Sequence, residues 1–212
     1  MGDLTRDKPK PLLRLGDKNL LEHKLDRLPP EVGEVIIVVG YLGHLIKDYF
    51  GDSHKGREIK YVQQSGLGGT GSALLTVKDL VRSRFMVMMG DDIYGENDFK
   101  NVLEYPWAMM ANQVRSRGRG AKIQIDNEGT VLNVIENTEL VPGDLANAGL
   151  YVLGPEIFSY PLVAIDKKEF GLPQMVVLAA KDFKVKVVRS TGWVPLSTPG
   201  DLSFPSIDHT NT

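Results

Sequence analysis

Two adjacent carboxylates, Asp91 and Asp92, follow a run of five apolar residues, 85–89, with Gly90 between. So short a run is a poor helix and reads as a strand buried on both faces. An unpaired charge in a dry core costs on the order of several kcal/mol, so carboxylates at the end of such a strand require a cation or water. Ligands gather at the carboxyl edge of an open α/β sheet, where an acidic pair suits a hydrated divalent ion such as Mg²⁺ and the phosphates it carries. Asp-Asp after glycine is equally an ordinary turn sequence. A second feature is residues 65–72, SGLGGTGS, with four glycines within six residues. Such a loop lets backbone approach a ligand closely, and Thr70 is placed to cap a helix over 72–80 whose free N–H groups would face a phosphate. The same composition also makes a flexible surface loop. The third is Lys10, set between Pro9 and Pro11, where the rings stiffen the chain and hold a cation ready for an anion.

The elements that must position these residues follow from pattern. Residues 1–11 are polar and interrupted by proline, and read as an extended loop. Asp17 is placed to cap a helix with Leu21, Leu25 and Leu28 on one face, stopped by Pro29-Pro30. Glu34–Val39, EVIIVV, reads as a strand covered on both faces; residues 42–50 read as a helix closed by Gly51, and 59–63 as another strand. The order β, α, β, α, β ending at the acidic pair favours a parallel, doubly wound sheet. Beyond residue 94 the pattern turns β-rich. Strands are expected over 107–114, 121–125, 130–135, 147–153 and 184–189, with a hairpin turn at 126–129. A helical turn over 155–160 and a helix over 172–181 with Pro173 in its first turn complete the second half.

Composition narrows the classes. A chain of 212 residues buries a real core, and we expect one domain over 1–202, with halves 1–104 and 105–202 and a tail at 203–212. The hydrophobic fraction is 42%, the charged fraction 25% and the net charge −2, which gives no electrostatic reason to expect nucleic acid or an anionic membrane as partner. Cysteine is absent, which excludes disulfides and thiolate chemistry, and the four histidines have no metal-ligand spacing. No apolar run approaches the roughly 18 residues of a membrane span.

Taken in order, these pieces resemble the sugar-1-phosphate nucleotidyltransferase family. LTRDKPKPLL resembles its lysine-bearing loop, KNLLEHKLDRL its first helix, and EVIIVVGYLGHLIKDYFGD the next strand and helix. QQSGLGGTGSALL resembles the nucleotide loop and FMVMMGDD the metal-bearing strand end. VLNVIEN and NAGLYVL resemble the sugar-side strands, and GWVPLSTPGDL the closing motif. The resemblance implies an α/β fold of the nucleotide-diphospho-sugar transferase type, a Rossmann-like doubly wound mixed sheet with a β-rich sugar-binding layer. It also implies a Mg²⁺-dependent enzyme that joins a nucleoside triphosphate to a sugar 1-phosphate in the cytoplasm and releases pyrophosphate. By the same resemblance Asp91 would hold Mg²⁺, Asp92 the ribose or a metal-bound water, and Lys10 a phosphate. Gln64 with the backbone of Gly69 would meet the base, Thr70 belongs to the nucleotide loop, and Glu136, Asn147 and Gly149 would contact sugar hydroxyls. The sequence leaves base, sugar and any homo-oligomer open.

Three departures from the family pattern qualify this expectation. The family begins with a buried strand running into a G-x-G-T-R loop, and Met1 aligns with the end of that loop, so Met1 is expected to be an internal methionine of a longer natural chain. Without that strand its neighbours would be left with unpaired edges. Pro195 stands where the closing motif supplies a second metal carboxylate, and Asn137 stands where a lysine follows Glu136. These two changes support an alternative, a non-catalytic nucleotide-sugar-binding or regulatory relative.

Overall fold

The computed structural model describes residues 2–66, 68–196 and 198–203. Its elements are β1 (Glu34–Val39), β2 (Arg57–Gln63), β3 (Phe85–Met88), β4 (Asp92–Ile93), β5 (Ala108–Gln113), β6 (Gly118–Ile125), β7 (Val131–Leu140) and β8 (Leu145–Leu153). They continue with β9 (Ala164–Asp166), β10 (Glu169–Phe170), β11 (Lys186–Arg189) and β12 (Val194–Pro195). The helices are α1 (Leu20–Arg27), α2 (Gly43–Phe50), α3 (Gly69–Leu75), α4 (Asp98–Leu103) and α5 (Leu172–Ala179). The architecture is the expected mixed α/β type. Part of the tail, from residue 204 on, lies outside the described residues.

The main sheet runs β7-β6-β8-β5-β11, with β3 added to β8. β8 organises it: Leu150, Val152 and Leu153 are fully buried, and the strand pairs antiparallel with β3, β5 and β6. β11 joins β5 in parallel. A smaller sheet holds β1 and β2 in parallel register, Glu34 opposite Glu58 through Val39 opposite Gln63. Pattern located these strands, and cross-strand partners set their ends. β7 extends to Leu140, beyond the expected 135, because β6 continues to pair with it through two register shifts.

Side chains of β1 alternate between two apolar layers. Val35 and Val39 pack with Leu21, Leu25 and Ile46 from α1 and α2, whereas Ile36 and Val38 face the cluster built on Leu74, Met175 and Val176 from α3 and α5. β3 alternates in the same way, with Met86 and Met88 on the first side and Phe85 and Val87 on the second. Neither strand is covered as fully as expected. All four residues of β3 and Ile36 to Val38 of β1 are only half-buried, because β1 and β3 share no ladder among the described residues.

Three local expectations are corrected. α1 is capped by Asn19, whose side chain accepts from Glu22 N at 2.8 Å while Glu22 returns a bond to Asn19 N at 2.7 Å. Asp17 lies earlier, in the turn of a small hairpin pairing Arg14–Leu15 with Lys18–Asn19, so it cannot serve as cap. Residues 2–5 and 10–12 form 3₁₀ turns within the segment expected to be extended. The third correction concerns α3, which spans Gly69–Leu75 and leaves residues 76–80 in turns.

Candidate active site

The carboxyl end of β3 is pinned before it turns. Met89 N–H donates to Gly149 O at 3.1 Å and to the Tyr94 hydroxyl at 3.2 Å, and that hydroxyl donates to Gly149 O at 3.1 Å. Gly149 has a positive φ of 68°, and a methyl group there would lie 2.5 Å from Met89 Cγ, so only glycine allows this approach of β8 to the strand end. Arg27 of α1 donates to Tyr94 O at 2.6 Å, tying the first helix to the same turn.

On this turn the acidic pair divides. Asp91 accepts a hydrogen bond from Lys10 Nζ at 2.8 Å, with the two side chains 46% and 23% exposed, so the pair is open to a ligand. Asp92 is more enclosed and accepts from Trp193 Nε1 at 3.1 Å. Burial first, and then the Asp91 charge, push the Asp92 carboxyl up to about 6. β12 brings Pro195 into register with Asp92, so the residue that replaces the expected carboxylate does stand beside the acidic pair.

A further cation belongs to this group. Lys24 of α1 is 1% exposed and donates to Met89 O at 3.1 Å; burial pulls its amine down to about 8, against the opposing pull of Asp91 and Asp92. The sequence held a signal for it, since Lys24 lies three residues after Leu21 and four before Leu28, on the apolar face of the helix. Trp193 lies in the GWVPLSTPGDL segment, but nothing local marked it as the partner of Asp92, and Tyr94 was not marked as the hydroxyl that joins Met89 to the distant Gly149.

The glycine-rich loop is held by protein as well as placed for a ligand. Gly68 O accepts from Phe170 N at 2.9 Å, and a methyl on Gly69, whose φ is 77°, would lie 2.6 Å from Phe170 O. Thr70 Oγ1 accepts from Leu172 N at 2.9 Å, so Thr70 fastens α3 to the start of α5 and is not its cap. The glycine at 69 is thus required by the β10 backbone, an approach the sequence reading assigned to a ligand. Gln64 bonds through its backbone to Val39 O at 2.8 Å, and Gln64 and Thr70 line the same cavity as Met89 and Gly90.

On the second half, Glu136 accepts from Gln174 Nε2 at 3.0 Å, while the Gln174 amide oxygen is buried with no hydrogen-bond partner among the described residues. The Asn147 side chain turns back on its own strand, with Nδ2 2.8 Å from the Tyr151 hydroxyl and Oδ1 accepting from Gly149 N at 3.0 Å. Burial raises the Tyr151 hydroxyl far above its usual range, partly opposed by the Asn147 bond, with Glu136 and Asp92 adding to the rise. Asn137 adopts a positive φ of 49° and takes the Arg119 guanidinium on its carbonyl at 2.6 Å. A cation therefore reaches this position from the neighbouring strand.

Of the sequence-derived residues, Lys10 and Asp91 touch, and Asp92 lies beside Gly149: a methyl on that glycine would be 3.6 Å from Asp92 Oδ2. Glu136 makes no direct contact with this group among the described residues; only its charge, which adds to the rise of the Tyr151 hydroxyl, reaches toward it. No group of three or more His, Asp or Glu side chains forms a ready-made metal cage among the described residues. The acidic pair nonetheless fits Mg²⁺, which is commonly held by one or two carboxylates with water and substrate phosphates completing the shell. Burial first, and then the Asp91 charge, make the ionised Asp92 carboxyl costly, and a dication beside it would offset that cost.

A mixed α/β fold with paired carboxylates at a strand end and a glycine-rich loop beside them defines a protein of the nucleotide-handling class. The chain belongs to the nucleotidyl transferase family, whose model matches residues 1–176. It is 30% identical over 202 residues to the bifunctional protein GlmU of Methanocaldococcus jannaschii, covering 94% of this chain and 48% of that protein. To the UTP-glucose-1-phosphate uridylyltransferase AglF of Haloferax volcanii it is 28% identical, covering 90% of this chain and 83% of the relative. The chain thus spans about half the length of the GlmU proteins it matches. Among solved structures, one assigned as a glucose-1-phosphate thymidylyltransferase from Bacillus anthracis superposes with a TM-score of 0.80 at 20% identity, covering 95% of this chain and 87% of the other. UDP-glucose pyrophosphorylase complexed with UDP-glucose gives 0.72 at 23%, covering 91% and 86%. No helix among the described residues is long and apolar enough to cross a membrane.

Proposed function

We propose that this chain carries the catalytic site of a sugar-1-phosphate nucleotidyltransferase, which joins a nucleoside triphosphate to a sugar 1-phosphate and releases pyrophosphate. The observation that carries the reading is the Lys10–Asp91 pair at 2.8 Å on the strand end that also presents Asp92. In this reaction a sugar-phosphate oxygen attacks the α-phosphorus and the bond to the pyrophosphate oxygen breaks. The protein's part is to position the reactants and neutralise charge. Lys10 neutralises a phosphate oxygen, Asp91 would hold Mg²⁺ with Asp92 on the ribose or a metal-bound water, and Trp193 fixes the Asp92 carboxylate. Mg²⁺, when bound, supplies further charge neutralisation at the phosphates.

Nucleotide contacts fall to Gln64, Gly69 and Thr70 in the half 1–104, and sugar contacts to Glu136, Asn147 and Gly149 in the half 105–202, with the two halves one domain over 1–202. The unpartnered Gln174 oxygen beside Glu136 supports a sugar hydroxyl there, since it lacks a donor. The names of the relatives favour a uridine or thymidine nucleotide with glucose 1-phosphate as the first pair to try. The cytoplasm, where both substrates are made, is the compartment this chemistry suits.

A panel of nucleoside triphosphates and sugar 1-phosphates, with products read by mass spectrometry, tests the proposal. One nucleotide sugar should accumulate with Mg²⁺ and vanish on chelation. The second reading, a non-catalytic nucleotide-sugar-binding relative, is favoured by Pro195 beside Asp92. It predicts nucleotide-sugar binding with no product from any pair.

A further inference from the structure

The first turn of α5 carries a side chain whose amide is half used. Gln174 donates from Nε2 to Glu136 Oε1 at 3.0 Å, and its own Oε1 is buried with no hydrogen-bond partner among the described residues. The amide has one sensible orientation, since turning it round would set two acceptors against each other at that contact. Its place is also built into the backbone. Gly171 precedes α5 with an ordinary φ of −91° and ψ of 129°, which any residue adopts, yet a methyl there would lie 1.7 Å from Gln174 Oε1. Glycine at 171 is therefore needed for the room it leaves to the Gln174 amide, not for its conformation.

Glu136 needs such a partner. It lies where β7 slips its register against β6, between Ile135 and Thr138, so no regular ladder sets its direction. Gln174 sets it instead, from a turn that is itself anchored on the glycine-rich loop: Leu172 N donates to Thr70 Oγ1 at 2.9 Å and Phe170 N to Gly68 O at 2.9 Å. With Glu136 Oε1 held, its other oxygen takes no hydrogen bond among the described residues and is left for a ligand. The Glu136 charge is felt at the Tyr151 hydroxyl, which bonds Asn147 Nδ2 at 2.8 Å, so Glu136 stands on the side of the other sugar candidates. The bonded pair thus offers one free oxygen from each side chain, both acceptors, and its single useful donor is already spent. What completes it is a donor.

We propose that Gln174 positions Glu136 and sets the specificity of the sugar site, an inference that rests on the function proposed above. The sugar taken there carries a hydroxyl at the position that meets this pair, and the corresponding deoxy sugar is rejected.

Binding tests this without turnover. Calorimetric titrations use UDP-glucose and dTDP-glucose, each beside its nucleoside diphosphate and its monodeoxyglucose forms, on the parent chain, Gln174→Met and Gly171→Ala. The first variant keeps the shape of the side chain and removes the amide; the second keeps every polar group and displaces the amide. In the parent, one monodeoxy form should bind at least about 10-fold more weakly than the glucose form. In both variants the glucose form should lose at least about 10-fold in affinity and the bare diphosphate less than about 2-fold, and the monodeoxy form should bind like the glucose form. Equal losses for the nucleotide sugar and the diphosphate would reduce Gln174 to a structural prop and overturn the proposal. So would a parent that binds every monodeoxy form as tightly as glucose, or a folded variant with unchanged selectivity, and these results leave the proposed function standing. A parent that binds neither nucleotide sugar would overturn that function, and this proposal with it.

Discussion

Asp92 is the residue at which function and stability pull apart. Its carboxyl is raised from 3.8 to about 6 by burial and by Asp91, so the folded state binds that proton more tightly than the unfolded chain does. Above pH 6 the folded protein carries a charged, poorly solvated group, and stability from this source returns as pH falls through 6 toward 4. Asp92→Asn should therefore stabilise the metal-free protein at pH 8 by about 1–3 kcal/mol, with the gain fading by pH 4. Urea melts at the two pH values check this, and a gain that is the same at both contradicts it. Lys10 differs, because its partly exposed pair with Asp91 contributes little to the fold. Lys10→Met should change stability by less than about 1 kcal/mol while lowering kcat by about 100-fold. Equal kcat in the variant would remove Lys10 from the catalytic machinery. Lys10 and the acidic pair were legible because charges flanked by proline or by an apolar run are conspicuous. Gln174 was not, and Trp193 was visible only as part of the closing motif, since each gains its role from a partner distant in the chain.

At the scale of elements, the glycine-rich loop is fastened to β10, where its glycines were expected to admit a ligand. The Gly69 methyl that would meet Phe170 O at 2.6 Å, together with a positive φ, makes alanine costly there. Gly69→Ala should destabilise by about 2 kcal/mol or more and loosen the β9–β10 hairpin together with α3. A thermal midpoint within about 2 °C of the parent would show that the loop has room to shift. Strand positions were legible from alternation and β-branched runs, and the turn at 126–129 from its Asp-Asn-Glu-Gly composition. Ends were less so, because ladders extend a strand for as long as a partner continues, as β6 does for β7. The α1 cap shifted from Asp17 to Asn19 because a two-strand hairpin, too short to show periodicity, occupies the residues before the helix.

Across the whole molecule, the order of elements sufficed to indicate a mixed α/β fold, with the acidic pair at a strand end. The half-covered state of β1 and β3 was not legible from their composition. Both look like fully buried strands, and pairing between distant segments decides whether their edges are filled. The cavity between them adjoins the acidic pair, and Lys24, Gly149 and Tyr94 all hold Met89 at its end. The most direct measurement is pyrophosphate release from a nucleoside triphosphate and a sugar 1-phosphate with Mg²⁺. It is made on this chain beside its Asp91→Asn variant. Nucleotidyl transfer at the β3 end predicts release that depends on both substrates and falls at least about 100-fold in the variant. Silence from the folded protein, while it still binds nucleotide, would contradict it.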